Sequence, residues 1–408
     1  MRQALRLFAA LLAAATPAVA DDWPQHLGPD RDGVSAEPAP TPWGENGPAV
    51  LWRRDVGQGF AAPSVGAGCV VLFHRRDDHE IVECLDPSSG DGRWSYRYPT
   101  RYRDDFGFDE GPRSAPTVAG GRVYTFGAQG VLTALDAGSG ALEWQVDTHR
   151  RFGVRKGFFG AAGSPLVADG RVVLNVGAPD AGIVAFSAAT GEVLWTATSH
   201  GAGYSSGVAA SIGRLGASLI FFTREGLAVL DPATGELRAE MRWRARINAS
   251  VNAATPLVAG SRVFLSASYG TGATLVDLAD GSPDPVWAGR DSLSSHYATA
   301  VLHDGNLYGF HGRQEHGPSL RCVRLEDGAV LWSVDRFGAG TVTRVDDHLL
   351  VLREDGTLFL APARDDRWAP LAEARILAAT VRAYPAFAGG ILYARNGREL
   401  VAVRLRED

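Results

Sequence analysis

Short alternating strands dominate the hydrophobic pattern of this chain. Segments 131–135, 183–186 and 227–230 are apolar runs rich in β-branched and aromatic residues, and each ends at polar turn residues. Alternation of this kind over so few positions predicts strands rather than helices. No long stretch after the N-terminus has helical periodicity, so the pattern predicts an all-β fold.

A second pattern follows these strands: an acidic residue, then Gly four positions later, then Trp four positions after that. Two copies are complete, and three keep part of the spacing. In chain order they are Asp86-Gly90-Trp94, Asp136-Gly140-Trp144, Ser187-Gly191-Trp195, Asp231-Gly235-Ala239 and Arg324-Gly328-Trp332. An acid at a strand end accepts hydrogen bonds from turn amides, Gly supplies positive φ, and Trp fills space between sheets. A unit repeated every 40 to 50 residues or so is typical of a propeller.

A third recurring element indicates how many blades the ring contains. It is a small residue, often followed by Pro, leading into an apolar strand and a Gly turn. Eight copies lie at 62–65, 115–118, 164–167, 206–208, 255–258, 298–301, 340–342 and 384–386. Each predicts the inner strand of a four-stranded blade, where Pro at the first position loses no ladder donor. We predict eight antiparallel blades, with seven as the alternative if 340–370 is irregular.

The two chain ends predict how the ring closes. The last blade stops near 402–405 without a Trp strand, whereas Val50-Leu51-Trp52 is a strand without an inner strand before it. Pairing these segments completes a blade and removes an exposed edge. We therefore assign 50–408 to the propeller and 21–49 to an N-terminal extension.

Composition narrows the class of protein further. The chain has 408 residues, 49 glycines, 10 tryptophans and a net charge of −6. A mild negative charge without a basic run argues against a nucleic-acid partner. Arg2 and Arg6 precede a short apolar run, and Ala18-Val19-Ala20 resembles a cleavage site, so residues 1–20 are predicted to be a secretory signal peptide. No later segment is long enough to span a membrane.

The cysteines fit an oxidising compartment. Cys69 and Cys84 flank a predicted hairpin, so they either form a disulfide across it or are two small buried residues of one blade. Cys322 is left over, and no spacing indicates a zinc site. Because no Cys follows the cleavage site, a lipid anchor is not expected. We expect a periplasmic or secreted monomer.

The repeat, with its apolar strand, Gly turn and Trp, resembles the pyrroloquinoline-quinone (PQQ)-type β-propeller family. The segments Asp22-Trp23-Pro24-Gln25 and 28–33 are similar to exported bacterial members. The resemblance implies two known kinds of relative. Quinone-dependent alcohol dehydrogenases bind the cofactor with calcium on the axis, and the outer-membrane assembly lipoprotein presents loops to partner proteins. This chain lacks the adjacent Cys pair of the first and the lipidated Cys of the second.

Polar and aromatic residues just before the inner strands are the candidate ligand-binding residues, because such loops gather around one mouth of a propeller. Hairpins on the same face add Arg224, Tyr269 and the run 311–316. The candidate set is Arg113, Tyr204, Arg246, Asn248, Asn252, His296, Tyr297, Arg313, Arg382 and Tyr384. Bidentate donors with aromatic walls suit an anionic or polyhydroxylated ligand. The alternative is that these residues only satisfy strand-end amides.

Two segments raise the question of a metal. The loop 101–111 mixes aromatic residues with Asp104, Asp105, Asp109 and Glu110, which predicts a lid, a calcium loop or a solvated surface loop. His296, His311 and His316 would suit a metal site if they met, although their spacing does not require it. We assign no metal.

Three functional hypotheses follow. The first is an exported, non-catalytic propeller that binds a small polar or anionic ligand or an envelope protein through its axial face. The second is an alcohol or sugar dehydrogenase using PQQ with calcium, in which the quinone supplies the redox chemistry. The third is a scaffold for envelope-protein assembly that uses a blade edge for strand addition.

Overall fold

The structure is a computed structural model that describes residues 22–248 and 250–407. The predicted signal peptide, residues 1–20, lies outside this range. Strands β1 (Val34–Ser35) and β2 (Ala49–Asp55) precede the first complete blade. Blade 1 contains β3 (Ser64–Gly66), β4 (Cys69–Arg76), β5 (His79–Leu85) and β6 (Gly92–Pro99). Blade 2 contains β7 (Thr117–Ala119), β8 (Arg122–Phe126), β9 (Val131–Asp136) and β10 (Leu142–Asp147), and helix α1 (Thr148–Phe152) follows it.

The next three blades repeat the same meander. Blade 3 contains β11 (Leu166–Ala168), β12 (Arg171–Ala178), β13 (Ala181–Ser187) and β14 (Val193–Ala197). Blade 4 contains β15 (Val208–Ile212), β16 (Gly216–Phe222), β17 (Gly226–Leu230) and β18 (Leu237–Arg242), with a 3₁₀ turn at Gly213–Leu215. Blade 5 contains β19 (Leu257–Ala259), β20 (Arg262–Ala267), β21 (Gly272–Asp277) and β22 (Asp284–Gly289).

The last three blades complete the ring. Blade 6 contains β23 (Val301–His303), β24 (Asn306–His311), β25 (Ser319–Arg324) and β26 (Val330–Val334), with a 3₁₀ turn at Gln314–His316. Blade 7 contains β27 (Gly340–Val345), β28 (His348–Arg353), β29 (Thr357–Pro362) and β30 (Ala372–Arg375). Blade 8 contains β31 (Ala386–Ala388), β32 (Ile391–Arg395) and β33 (Glu399–Arg404).

The prediction of eight blades is confirmed. The described residues form eight sheets, and consecutive strands of each blade are antiparallel neighbours joined by hairpins. The 340–370 segment is a regular blade, so the seven-bladed alternative is excluded. Hairpins between first and second strands use pairs such as Asp169-Gly170, with φ of 47° and 72°. Two successive positive φ values match the twist of the flanking strands, which is why Gly recurs there.

Ring closure also follows the prediction. β2 pairs antiparallel with β33, and Trp52 lies opposite Ala402. The fourth strand of blade 8 therefore comes from the start of the chain. Cys69 and Cys84 form a disulfide within blade 1, with their Cα atoms 5.3 Å apart. Of the two alternatives left open by the spacing, a disulfide or two unpaired buried residues, the structure contains the disulfide.

Indole hydrogen bonds join neighbouring blades at several places in the ring. Trp94 of β6 donates its indole N–H to the Ala137 carbonyl at 2.9 Å, and Trp52 donates to the Pro87 carbonyl at 2.9 Å. Trp287 of blade 5 makes the same bond to the Leu325 carbonyl at 2.7 Å. The repeat spacing did not identify Trp287, because the turn before β22 is longer than in the other blades.

Residues 22–35, here called the axial segment, lie among the inner strands. The Trp23 carbonyl accepts a hydrogen bond from Val65 of β3 at 2.7 Å. Leu27 packs with Ala62, Ala115 and Tyr384 at the other end of those strands. The chain then returns, and β1 pairs in parallel with the end of β27. The axial segment of the extension thus lies on the axis of the ring, which the sequence pattern did not predict.

Candidate functional site

One cavity of about 560 Å³ lies at the mouth of the axis and is here called the axial pocket. Its wall comes from the connections between blades, which place side chains next to the starts of the inner strands, and from the β20–β21 and β24–β25 hairpins. Its floor includes His26 of the axial segment. The wall residues are Phe60, Ala62, Phe106, Phe108, Arg113, Phe158, Phe159, Ala162, Ser164, Tyr204, Ser206, Ile247, Ser250, Val251, Ala253, Tyr269, His296, Tyr297, Arg313, Gln314, Glu315, Arg382 and Tyr384.

Aromatic rings form one side of the axial pocket. Phe106 and Phe108 come from the loop 101–111, and Phe158 and Phe159 come from the connection between blades 2 and 3. The Phe106 and Phe159 ring centroids lie 5.2 Å apart, and those of Phe159 and Tyr204 lie 5.6 Å apart. Phe106 and Phe108 remain 53% and 54% exposed. Large apolar side chains exposed together around a concavity are typical of a binding site rather than of ordinary surface.

Three arginines line the axial pocket, and each has a carboxylate partner. Arg382 lies 3.0 Å from Glu354, Arg313 lies 2.8 Å from Glu315, and Arg113 lies 3.7 Å from Asp104. Each guanidinium also lies over aromatic rings: Arg382 over Phe60 and Phe108, Arg313 over Tyr269, and Arg113 over Phe60 and Phe159. These arginines therefore order the aromatic wall, and their charges are largely balanced.

Tyrosine and histidine groups form the opposite side. The Tyr269 hydroxyl and His296 Nε2 lie 2.7 Å apart, and burial lowers the pKa of His296 to about 4. Tyr297 donates to Glu354 at 2.7 Å, and burial together with this carboxylate raises the pKa of Tyr297 well above its usual range. Both groups are neutral at pH 7. They can donate or accept hydrogen bonds without adding charge.

His26 of the axial segment forms part of the floor of the axial pocket. Its ring lies edge-on to Tyr384, with centroids 5.2 Å apart. Burial, with the nearby Arg31 charge as a smaller cause, lowers the pKa of His26 to about 3. The imidazole is therefore neutral at pH 7, and one of its nitrogens carries a proton that can be donated to a ligand.

Seven of the ten candidate residues lie on the wall of the axial pocket: Arg113, Tyr204, His296, Tyr297, Arg313, Arg382 and Tyr384. Arg246 and Asn248 are exposed outside the wall. Asn252 is buried, and its amide donates to the Thr223 and Trp243 carbonyls at 2.8 and 3.2 Å. That geometry matches the alternative in which polar residues only satisfy backbone groups. Ligand binding by all ten remains a prediction.

The sequence reasoning missed two features of the axial pocket. The first is its aromatic character: the Phe158-Phe159 pair is visible as an apolar doublet in a Gly-rich connection, and Phe106 and Phe108 interrupt an acidic loop. The second is His26, which reaches the cavity only because the axial segment folds into the ring. No local pattern predicts that approach.

The acids of the loop 101–111 bind protein groups. Asp104 accepts the Phe108 amide at 2.6 Å, and Asp109 accepts the amides of Gly111 and Gly59 at 2.7 and 3.1 Å. Glu110 contacts Arg103 at 3.0 Å. The loop therefore forms part of the pocket wall, as a lid would, and its carboxylates do not converge on one point.

The donors for a calcium ion are not assembled in the described part of the chain. Within it no three His, Cys, Asp or Glu side chains form a group that could hold a metal ion. Calcium takes six to eight oxygen ligands, roughly, often carboxylates. The lining of the axial pocket contains one carboxylate, Glu315, which already binds Arg313. These residues do not fit PQQ held together with calcium.

His311 likewise binds a backbone group. Its Nδ1 accepts the Ser294 amide at 3.1 Å, and His316 is exposed at the end of a 3₁₀ turn.

Across residues 22–248 and 250–407, none of the helices has the length and apolar character needed to cross a membrane.

Comparison with known proteins relates the chain to two groups. The sequence profile of the family described as outer membrane protein assembly factor BamB matches residues 44–156 and 78–334. The dehydrogenase subunit of the quinone alcohol dehydrogenase of Komagataeibacter europaeus is 33% identical over 133 residues, which are 30% of this chain and 18% of that protein. The chain thus matches less than a fifth of the length of this curated relative.

Solved structures from both groups share the fold. BamB from Moraxella catarrhalis superimposes with a TM-score of 0.63 at 15% identity, covering 88% of this chain and 98% of that one. Quinohemoprotein alcohol dehydrogenase from Comamonas testosteroni gives a TM-score of 0.67 at 15% identity, covering 95% and 82%. Identities this low establish the architecture alone.

Proposed function

The chain belongs to the PQQ-type β-propeller family whose profile describes outer membrane protein assembly factor BamB, and from this membership we propose that it is an exported, non-catalytic propeller that binds a small molecule in its axial pocket. The observation that carries the proposal is the pocket itself. It is a concave aromatic cavity on the ring axis, closed below by the chain's own axial segment.

The chemistry of the wall indicates what kind of molecule it binds. A volume of about 560 Å³ accommodates a ligand of drug-like size. Phe60, Phe108, Phe159 and Tyr204 offer ring faces, and Tyr269 and Tyr297 add polar edges. We therefore propose a ligand with an aromatic or apolar body and a small number of hydrogen-bonding groups.

The non-catalytic part rests on the state of the ionisable groups. The arginines are paired with carboxylates, and His26 and His296 are neutral with pKa values of about 3 and 4. A general base for chemistry near pH 7 needs a pKa close to that pH. The lining provides no such carboxylate or imidazole.

The quinone-dependent dehydrogenase is the second candidate function, supported by the matched segment of the quinone alcohol dehydrogenase subunit. It requires a set of calcium ligands that the pocket residues do not supply. The assembly scaffold is the third, supported by the BamB-like profile and by the exposed Phe106 and Phe108 at the mouth. The sequence-based form of that hypothesis uses a blade edge for strand addition. The exposed rings add a second mode, in which an envelope protein would insert an apolar side chain into the same cavity.

Fluorescence titration tests the proposal. N-phenyl-1-naphthylamine, a neutral dye that emits strongly in apolar sites, should bind the purified mature protein saturably. Phe159→Ala should weaken this binding by roughly tenfold, the loss expected for one aromatic ring contact with the dye. Leu142→Ala, which removes an exposed apolar side chain on β10, is the matched control and should leave affinity unchanged. No saturable binding, or equal binding by the Phe159 variant, would exclude the axial pocket as the site.

Two further measurements test the competing functions. Dye-linked oxidation of an alcohol panel after incubation with PQQ and calcium should show no activity; turnover that depends on the quinone would replace the non-catalytic proposal. Affinity capture from an envelope extract should recover the same partner with wild type and Phe159→Ala if a partner binds elsewhere. Loss of that partner in the variant would favour the scaffold.

Export is checked by N-terminal sequencing of the mature protein, whose sequence should begin at Asp21.

A further inference from the structure

Arg31 of the axial segment is a buried cation whose hydrogen bonds go to neutral groups. It is 2% exposed. Its guanidinium donates to the Gly207 carbonyl at 3.0 Å, to the Ser164 carbonyl at 3.4 Å and to the Pro165 carbonyl, and its Nε donates to Gln25 at 2.8 Å. Among the described residues it forms no ion pair. Burial lowers the pKa of Arg31 to about 9, so the group is still protonated at pH 7.

This cation lies directly beneath the axial pocket. Ser164, one of its acceptors, is part of the pocket wall, and Gly207 follows Ser206, another wall residue. The charge of Arg31 also acts on His26, whose ring forms the floor. The guanidinium therefore binds the backbone of one wall residue and of the neighbour of another.

The charges around the mouth do not cancel this one. Arg113, Arg313 and Arg382 are each paired with one carboxylate, namely Asp104, Glu315 and Glu354. Three cations and three anions leave a balance of zero at the mouth, and His26 and His296 are neutral. The Arg31 charge therefore has no counter-ion among these groups. Arg224 also lacks an ion pair in the described part of the chain and acts on the wall residues Tyr204 and Tyr269, but it is half-exposed, whereas Arg31 is buried. Because it is buried in a medium of low effective dielectric, its field reaches the cavity with little screening.

We propose that the axial pocket selects a ligand that carries one acidic group, and that Arg31, acting through the floor at His26, makes this selection. The acidic group would lie deep in the cavity, where the neutral His26 ring can donate a hydrogen bond to it. The aromatic body would extend towards Phe108 and Phe159 at the mouth. This inference rests on the proposed function, since it assigns a charge to the ligand of the same pocket.

A matched pair of dyes tests it. 8-Anilinonaphthalene-1-sulfonate has the skeleton of N-phenyl-1-naphthylamine with one sulfonate added, so the ratio of the two dissociation constants reports the effect of the acidic group alone. Wild type should prefer the sulfonate dye. Arg31→Met should lower that preference by about tenfold, the effect of one poorly screened charge. Arg31→Lys, which keeps the charge, should retain most of it.

The salt dependence of the preference for the sulfonate dye shows whether a buried or an exposed charge causes it, without any substitution. Between about 50 mM and 1 M NaCl the preference of wild type should change by less than roughly twofold, because a buried charge is screened much less than surface charges. Arg97→Met removes an exposed arginine of β6 that is not part of the pocket wall and should leave the preference unchanged. If Arg31→Met does not fold, the salt series still shows whether the preference comes from a buried charge or from exposed charges.

Each outcome has a distinct meaning. Tight binding of both dyes with no preference, a preference unchanged in Arg31→Met, or a preference that collapses at 1 M salt would overturn the role of Arg31 while leaving the pocket as a binding site. Failure of both dyes to bind would instead remove the proposed function itself. A preference that survives salt and falls in Arg31→Met, with the Lys variant close to wild type, supports the inference.

Discussion

The indole of Trp94 packs directly against Gly140 of the next blade. A Cβ added at Gly140 would lie 2.5 Å from Cε3 of Trp94, and Gly140 has a φ of 71°. The same relationship joins Trp144 to Gly191 and Trp195 to Gly235. The Trp and Gly of the repeat therefore act between neighbouring copies: the Trp of one blade occupies the space that the Gly of the next leaves open.

Gly140→Ala should lower the free energy of unfolding by about 2–4 kcal/mol, because a positive φ and a clash with a packed indole are both penalised. Gly170→Ala is the control, since Gly170 has a φ of 72° and open space where a Cβ would lie. It should cost only about 1 kcal/mol. Chemical denaturation of both variants measures the difference. Equal losses would show that the indole contact contributes nothing.

Trp52→Ala should destabilise the protein by about 3–5 kcal/mol, since it removes a large buried ring and the bond to Pro87 at the seam of blade 8. Weakening β2 also exposes the edge of β33, so the variant should form soluble oligomers on mild heating. Denaturation and light scattering measure these effects. Val50→Ala, at a 46% exposed position of the same strand, should behave as wild type.

Reduction of the Cys69–Cys84 disulfide should lower the free energy of unfolding by up to about 3 kcal/mol, the loop-entropy value for a sequence separation of 15 residues. The double variant Cys69→Ser/Cys84→Ser should unfold like the reduced wild type and should not respond to reductant. Because Cys322 is buried and unpaired, it provides no alternative disulfide in the native state. A reductant effect that persists in the double variant would contradict this assignment.

Acid should destabilise the protein partly through His296. Its pKa is about 4 when folded and 6.5 in the unfolded reference. Between these values the unfolded chain binds more protons, so stability falls as pH falls through this window. At pH 5 the protonation of His296 in the unfolded chain lowers the free energy of unfolding by roughly 1–2 kcal/mol.

His296→Gln should therefore flatten the acid limb of a plot of unfolding free energy against pH between about 6.5 and 4. His26 and His311, whose pKa values are also lowered, should keep part of the slope. His316→Gln, at an exposed position, is the control. An unchanged acid limb in His296→Gln would show that the buried ring does not remain neutral.

Much of the fold was predictable because its determinants are local. Asp, Gly and Trp at fixed spacing specify a turn and the strand after it, and the small residue before each inner strand recurs eight times, so the blades could be counted. The repeat spacing did not identify Trp287 because the turn before it is longer. Its indole nevertheless donates to a carbonyl of the next blade, that of Leu325, as the other tryptophans do. The site was predicted less well: Arg313 and Arg382 reach the cavity, whereas Arg246 and Asn248, from an equally suitable connection, do not.

By itself, the sequence determined the blade, the number of blades and the seam at Trp52, since each depends on residues within one hairpin or on the two chain ends. Only the tertiary structure placed residues 22–35 on the axis, with Arg31 under the cavity and His26 on its floor. A segment without periodicity has no local preference that specifies its position. Its place is decided by the carbonyls and apolar side chains of several inner strands, which come together only when the ring has formed.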